Sequence, residues 1–142
     1  QEIFYERGDV HVASVHVDPG AGWFPHFLGF ADETGAGAGA GANLNVPVTP
    51  GAGDAAWLAA VDRAVDATRR FGADAVVVSL GVDAAAGDPE SPLAVTQAGF
   101  REAGRVLGRL GVPTVLVQEG GYDLPTLGGL VREVLLGAEE AA

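Results

Sequence analysis

Apolar and polar residues alternate from Val10 to Val17, where His11, Ser14 and His16 interrupt the valines at the two-residue period of a half-buried strand. Asp18-Pro19-Gly20 ends it. Asn43 to Val48 reads as a second short strand, stopped by Pro50 and Gly51. The spacing then becomes helical. Asp54 caps a segment with Trp57, Leu58, Val61 and Val65 on one side, closing near Gly72. Ala75 to Leu80 is a β-branched run suited to a strand buried on both faces. Thr96 caps a second helix carrying Phe100, Ala103, Leu107 and Leu110 on one side, with Gly111 and Pro113 closing it. Thr114 to Gln118 is the next buried strand, and Leu127, Leu130, Val131, Val134 and Leu135 mark a third helix around Leu124 to Leu136.

Strands alternating with helices predict an α/β protein with a mainly parallel sheet. Ligands of such sheets bind just beyond the carboxyl ends of the strands. That places the search at Ser79 to Pro92, Glu119 to Leu124 and the loop after Val17. The alternating glycines and alanines from Gly35 to Gly41 read instead as a flexible loop, too simple to be an element. No Gly-Lys-Ser/Thr follows them, so they do not form a nucleotide-binding loop.

Composition narrows the function. All eight basic residues are arginine, set against 19 acidic ones, and a net charge of −11 leaves no basic stripe to track phosphates. Nucleic-acid binding is therefore excluded, and a cationic small molecule is the better-tolerated partner. With no cysteine, any metal has to be held by His, Asp or Glu. No apolar run reaches membrane-spanning length and no signal peptide is evident, so the expectation is a soluble, cytoplasmic protein without membrane contact. The 142 residues contain no methionine and begin at Gln1, which suggests a piece of a longer chain.

Asp83 is the first carboxylate beyond Leu80, among small residues that leave room for a ligand. Asp83 and Asp88 also fit turn-capping roles, as Asp beside Gly or Pro commonly does. After the following strand, Gly120 and Gly121 free the backbone to aim Tyr122 over the strand ends, although Tyr122 also fits as a residue packed on its loop. What favours chemistry is that both lie at carboxyl ends of strands expected to be neighbours. A carboxylate ligand and a phenol in one cleft suit metal-assisted carbonyl chemistry. His11, His16 and His26 fit structural hydrogen bonding better than ligation. Trp57 belongs to the core, and Phe24 beside Pro25 suits an aromatic wall for a substrate.

Gln1-Glu2-Ile3-Phe4-Tyr5, Ala13-Ser14-Val15-His16, Ser79-Leu80-Gly81-Val82-Asp83 with Gly87-Asp88-Pro89, and Glu119-Gly120-Gly121-Tyr122 together resemble the C-terminal portion of the histone deacetylase and acetylpolyamine amidohydrolase superfamily. The stretches Tyr5-Glu6-Arg7-Gly8-Asp9-Val10, Phe24-Pro25-His26-Phe27-Leu28-Gly29 and Glu33-Thr34-Gly35 resemble its bacterial acetylpolyamine amidohydrolases in particular. The resemblance covers essentially the whole chain. It implies a three-layer, arginase-like α/β fold, of which residues 1–142 form the C-terminal portion of a single domain. It also implies a zinc-dependent hydrolase that removes acetyl groups from polyamines or from acetyl-lysine, with a homodimer among the expectations for the intact enzyme.

Carried over position by position, the resemblance makes Asp83 a zinc ligand and Tyr122 the hydroxyl that stabilises the oxyanion. Phe24 becomes a tunnel wall, with Gly120 and Gly121 beside the substrate. Ser14 and Val15 match a site for a monovalent cation such as K⁺, and the carbonyls of Phe4, Arg7 and Val10 match a second. Two features of the family are absent: the Asp-x-His segment that supplies the other two zinc ligands, and the tandem histidines that move protons. The 142 residues alone are therefore expected to bind zinc poorly and to be inactive. The competing reading is a non-catalytic α/β module that binds polyamines or a protein partner.

Overall fold

A computed structural model describes residues 1–142. Four strands and three helices follow in the order β1 (Val12–Val17), β2 (Asn43–Val48), α1 (Asp54–Phe71), β3 (Val76–Leu80), α2 (Gln97–Gly108), β4 (Thr114–Gln118) and α3 (Leu124–Ala141). β1 pairs with β2 and β3 with β4, both parallel, with Val15 opposite Val46 and Val78 opposite Leu116. The pairing is parallel throughout, as expected, and within these 142 residues it forms two separate pairs, since neither β1 nor β2 bonds to β3. One apolar core nevertheless runs across both. Val17, Val46 and Val48 from the first pair meet Leu80 from the second through Trp57 of α1 and Phe100 of α2, whose rings lie 5.2 Å apart. No helix is long and apolar enough to cross a membrane.

Several sequence expectations change in detail. β1 starts at Val12 rather than Val10, since His11 leaves the strand pattern to stack its ring on Phe71 and set Nδ1 2.9 Å from the Ala42 carbonyl. Asp54 opens α1, but Gly53 is the cap residue, and the Asp54 carboxylate instead accepts the amide and hydroxyl of Thr96, both at 2.7 Å. Thr96 caps α2 through the Gly99 amide; Leu110 falls beyond that helix, and α3 runs on to Ala141. The Gly35 to Gly41 segment is ordered into a 3₁₀ turn at Gly37–Gly39, with Gly39 buried against the backbone of residues 5–7. Only glycine permits such close approach of two backbones.

β3 and β4, whose valines suit burial on both faces, bury only one within these 142 residues. Val78 and Leu116 pack into the core, whereas Val77 is 71% and Val115 59% exposed. The buried face packs against the cluster that holds Phe100, Ala103, Leu130 and Val134, and the opposite face, with Val77 and Val115, is exposed. α2 and α3 pack closely because Gly104, Gly108 and Gly137 line their seam, where a Cβ would collide with the carbonyls of Val134, Ala138 and Arg101 respectively. Arg101 to Glu133 at 2.8 Å and Arg105 to Glu140 at 2.7 Å fasten its rim.

Candidate active site

The space between the two strand pairs, a cleft of about 840 Å³, is lined largely by apolar side chains of α1, α2 and α3, among them Trp57, Val61, Phe100, Leu107 and Val134, and its charged groups lie at the strand ends. Ala13 to Val17 of β1 form one wall and Val78 to Leu80 of β3 the other. Three loops beyond the strand ends reach its mouth. Trp23, Phe24 and His26 come from the loop after β1, Asp83 and Glu90 from the loop after β3, and Glu119, Gly120 and Tyr122 from the loop after β4. Ligands of parallel α/β proteins gather at such strand ends.

Asp83 is half-buried and in close contact with glycine backbone. A Cβ on Gly81 would stand 2.8 Å from Oδ1 and one on Gly120 2.5 Å from Oδ2, so these two positions form a cradle for the carboxylate. Burial pushes the Asp83 carboxyl above its ordinary range, and the charge of Asp88 adds to the rise. No arginine pairs with it, so a cation entering the cleft would relieve an uncompensated charge. A metal is thus a fitting partner for this carboxylate. It would need more ligands than the chain supplies, because no three His, Cys, Asp or Glu side chains come together, and a catalytic zinc takes three protein ligands.

Tyr122 is 55% exposed at the same cleft. Gly121, with φ +142°, makes the turn that precedes it, and a Cβ there would press on Leu127 and Val82. Phe24 is 78% exposed and lines the cleft with Trp23 and His26, its ring 6.3 Å from that of His26. Ser14 and Val15 line the β1 wall, where the Ser14 hydroxyl lies 2.7 Å from His16 Nδ1. His16 Nε2 lies 2.8 Å from the Gly29 carbonyl, which only accepts, so Nε2 donates and His16 serves as a structural hydrogen bonder. Phe4, Arg7 and Val10 lie in the segment before β1, apart from the residues that line the cleft, and the Phe4 carbonyl accepts the Arg7 amide at 2.9 Å. Gly121 supports the loop without lining the cleft.

Three features of the site take their roles only from the folded chain. Glu90 and Glu119 line the cleft with Asp83, and no arginine does, so the charged groups of its mostly apolar lining are all carboxylates. Glu33 ties down the loop after β1, accepting the Gly29 amide at 2.6 Å, the Phe30 amide at 3.1 Å and Gln1 Nε2 at 2.7 Å. Gln1 Oε1 in turn accepts from Asn43 and Asn45 of β2. Asp88, readable only as a turn residue, is 7% exposed and bonded to the Tyr122 amide. Position beyond a strand end was the one available signal for Glu90 and Glu119; the contacts of Glu33 with Gln1 and of Asp88 with Tyr122 span more than thirty residues.

The chain belongs to the histone deacetylase domain family, which it matches over residues 1–138. It is similar to the acetylpolyamine amidohydrolase of Burkholderia pseudomallei (strain 1710b), with 47% identity over 127 residues, covering 89% of this chain and 37% of that protein. It is equally similar to the acetylpolyamine amidohydrolase of Mycoplana ramosa, 47% identical over 137 residues and covering 96% of this chain and 40% of that one. A crystal structure of acetylpolyamine aminohydrolase from Burkholderia pseudomallei superimposes with a TM-score of 0.95 at 45% identity, over 99% of this chain and 41% of that one. The fold is therefore the α/β fold of the histone deacetylases, and the chain spans about two fifths of the length of these relatives.

Proposed function

We propose that residues 1–142 form one side of the active site of a zinc-dependent deacetylase, which hydrolyses the acetamide bond of an acetylated amine. The observation that carries this reading is the meeting of Asp83, Tyr122 and Phe24, from three separate loops, at one cleft. The names of the two amidohydrolase relatives support it.

When bound, zinc would polarise the acetamide carbonyl and activate water. Asp83 would supply one ligand from its glycine cradle, and the remaining ligands and the proton-moving groups would come from outside these 142 residues. Tyr122 donates its hydroxyl proton in a hydrogen bond to the oxygen that gains negative charge, stabilising it. Phe24 and Trp23 flank the acetylated arm. Asp83, Glu90 and Glu119 make the cleft anionic, which favours a substrate carrying further positive charge, an acetylpolyamine ahead of acetyl-lysine in a neutral peptide. The same reading gives Ser14 and Val15, and the carbonyls of Phe4, Arg7 and Val10, to structural monovalent cations such as K⁺.

The test is acetate release by the complete protein from an acetylpolyamine and from an acetyl-lysine peptide, with and without a chelator. Chelator-sensitive release that is faster from the polyamine supports the proposal. Binding of polyamine without any release would favour a non-catalytic module.

A further inference from the structure

Asp88 is a carboxylate that is nearly inaccessible to solvent, 7% exposed, with no arginine beside it. Its charge is met by backbone. Oδ2 accepts the amides of Tyr122 at 2.8 Å and Asp123 at 3.3 Å, and Oδ1 accepts the amide of Glu90 at 2.9 Å. Charge-assisted bonds of this kind are about twice as strong as neutral ones, and burying the carboxylate without them would be costly. One side chain thus joins the loop after β3, which carries Asp83, to the loop after β4, which carries Tyr122.

The need for such a tie lies in the sequence before Tyr122. Gly120 and Gly121 allow the backbone more conformations than any other pair would, and Gly121 sits at φ +142°. Tyr122 itself is 55% exposed, so packing does little to fix where its ring points. The bond from its amide to Asp88 fixes the backbone from which that ring projects.

We infer that Asp88 is a positioning residue for the reaction, holding Tyr122 at the cleft so that its hydroxyl meets the developing oxyanion. This inference rests on the role proposed above for Tyr122. It goes beyond turn capping, because a cap would need only the Glu90 amide, two residues away.

The experiment is a double-mutant cycle in the complete protein with Asp88→Asn and Tyr122→Phe, reading kcat and KM for an acetylpolyamine, bound zinc, and amide exchange at Tyr122 and Asp123. Asn keeps the size of Asp but turns an NH₂ toward one set of amides. Loss of a group that orients a reacting residue costs on the order of 10- to 100-fold. Asp88→Asn is expected to lower kcat by that factor, with KM within about twofold and zinc content unchanged. On the Tyr122→Phe background, the same change is expected to cost less than about threefold, since the group it positions is gone. An equal loss on both backgrounds, or none on either, overturns the inference. Should the unsubstituted protein release no acetate, the proposed function fails. Asp88 is then judged by exchange alone: unchanged Tyr122 and Asp123 amides in Asp88→Asn reject its positioning role, and at least tenfold faster exchange upholds it. Asp88→Ser serves the same test if Asp88→Asn does not fold.

Discussion

Gly120 lies against the Asp83 carboxylate so closely that a Cβ would stand 2.5 Å from Oδ2 and 2.8 Å from Cγ. Real Cβ atoms do not approach a carboxylate this closely. Gly120→Ala must therefore displace either Asp83 or the loop that carries Tyr122. Shifts in the support of a metal ligand typically cost about 10- to 100-fold in metal affinity or activity. Zinc titration of the Gly120→Ala complete protein is expected to show weakening of that order. Wild-type affinity would mean that Asp83 sits elsewhere when the site is filled.

The seam between α2 and α3 gives a separate test of packing, remote from the cleft. At Gly137 a Cβ would collide with the Arg101 carbonyl, which belongs to a helix backbone and has no rotamer with which to yield. Alanine improves helix propensity by up to about 1 kcal/mol, whereas overpacking costs about 1–3 kcal/mol and more where backbone has to move. Gly137→Ala is expected to be destabilising by about 1–2 kcal/mol in urea unfolding. A stabilised variant would contradict the close approach of the two helices.

Much of this architecture was legible in the sequence where local rules decide. α1 could be read from its apolar spacing and from Gly72, which takes φ +79° at the helix end, and β2 matched its expected bounds at Asn43 and Val48. Long-range pairing was not legible. Asp54 looks like a cap because it begins a helix, yet its carboxylate serves Thr96, 42 residues on. The valines of β3 and β4 predict burial on both faces, but periodicity records which side chains favour burial and cannot supply the element that covers them. Asp83 and Tyr122 stood out because position beyond a strand end is a topological rule. Asp88 stood out only as a turn, since nothing local to Gly87-Asp88-Pro89 points to residue 122.

Glu33 is expected to make the loop carrying Trp23 and Phe24 sensitive to acid. Burial opposes its ionisation, but Gln1 Nε2, the Gly29 and Phe30 amides and the nearby His16 prevail and hold its carboxyl below the ordinary value of 4.5. A carboxyl lowered in the folded state contributes stability that is complete above its unfolded value and is lost as pH falls through the folded one. The loop should therefore loosen as pH drops below about 4.5. Trp23 fluorescence is expected to change over that interval, and Glu33→Gln should show the acid-like signal already at neutral pH. A Glu33→Gln spectrum identical to wild type at neutral pH would remove Glu33 from control of this loop.

The measurement that tests the central proposal most directly pairs zinc content with acetylpolyamine hydrolysis in the complete protein carrying Asp83→Ala or Tyr122→Phe. If Asp83 is a ligand and Tyr122 the oxyanion donor, the two substitutions separate. Asp83→Ala loses both zinc and turnover, whereas Tyr122→Phe keeps its zinc and loses on the order of 10²–10³ in kcat, the effect of removing one such donor. Full zinc content with wild-type turnover in Asp83→Ala, or an unchanged kcat in Tyr122→Phe, would contradict the account.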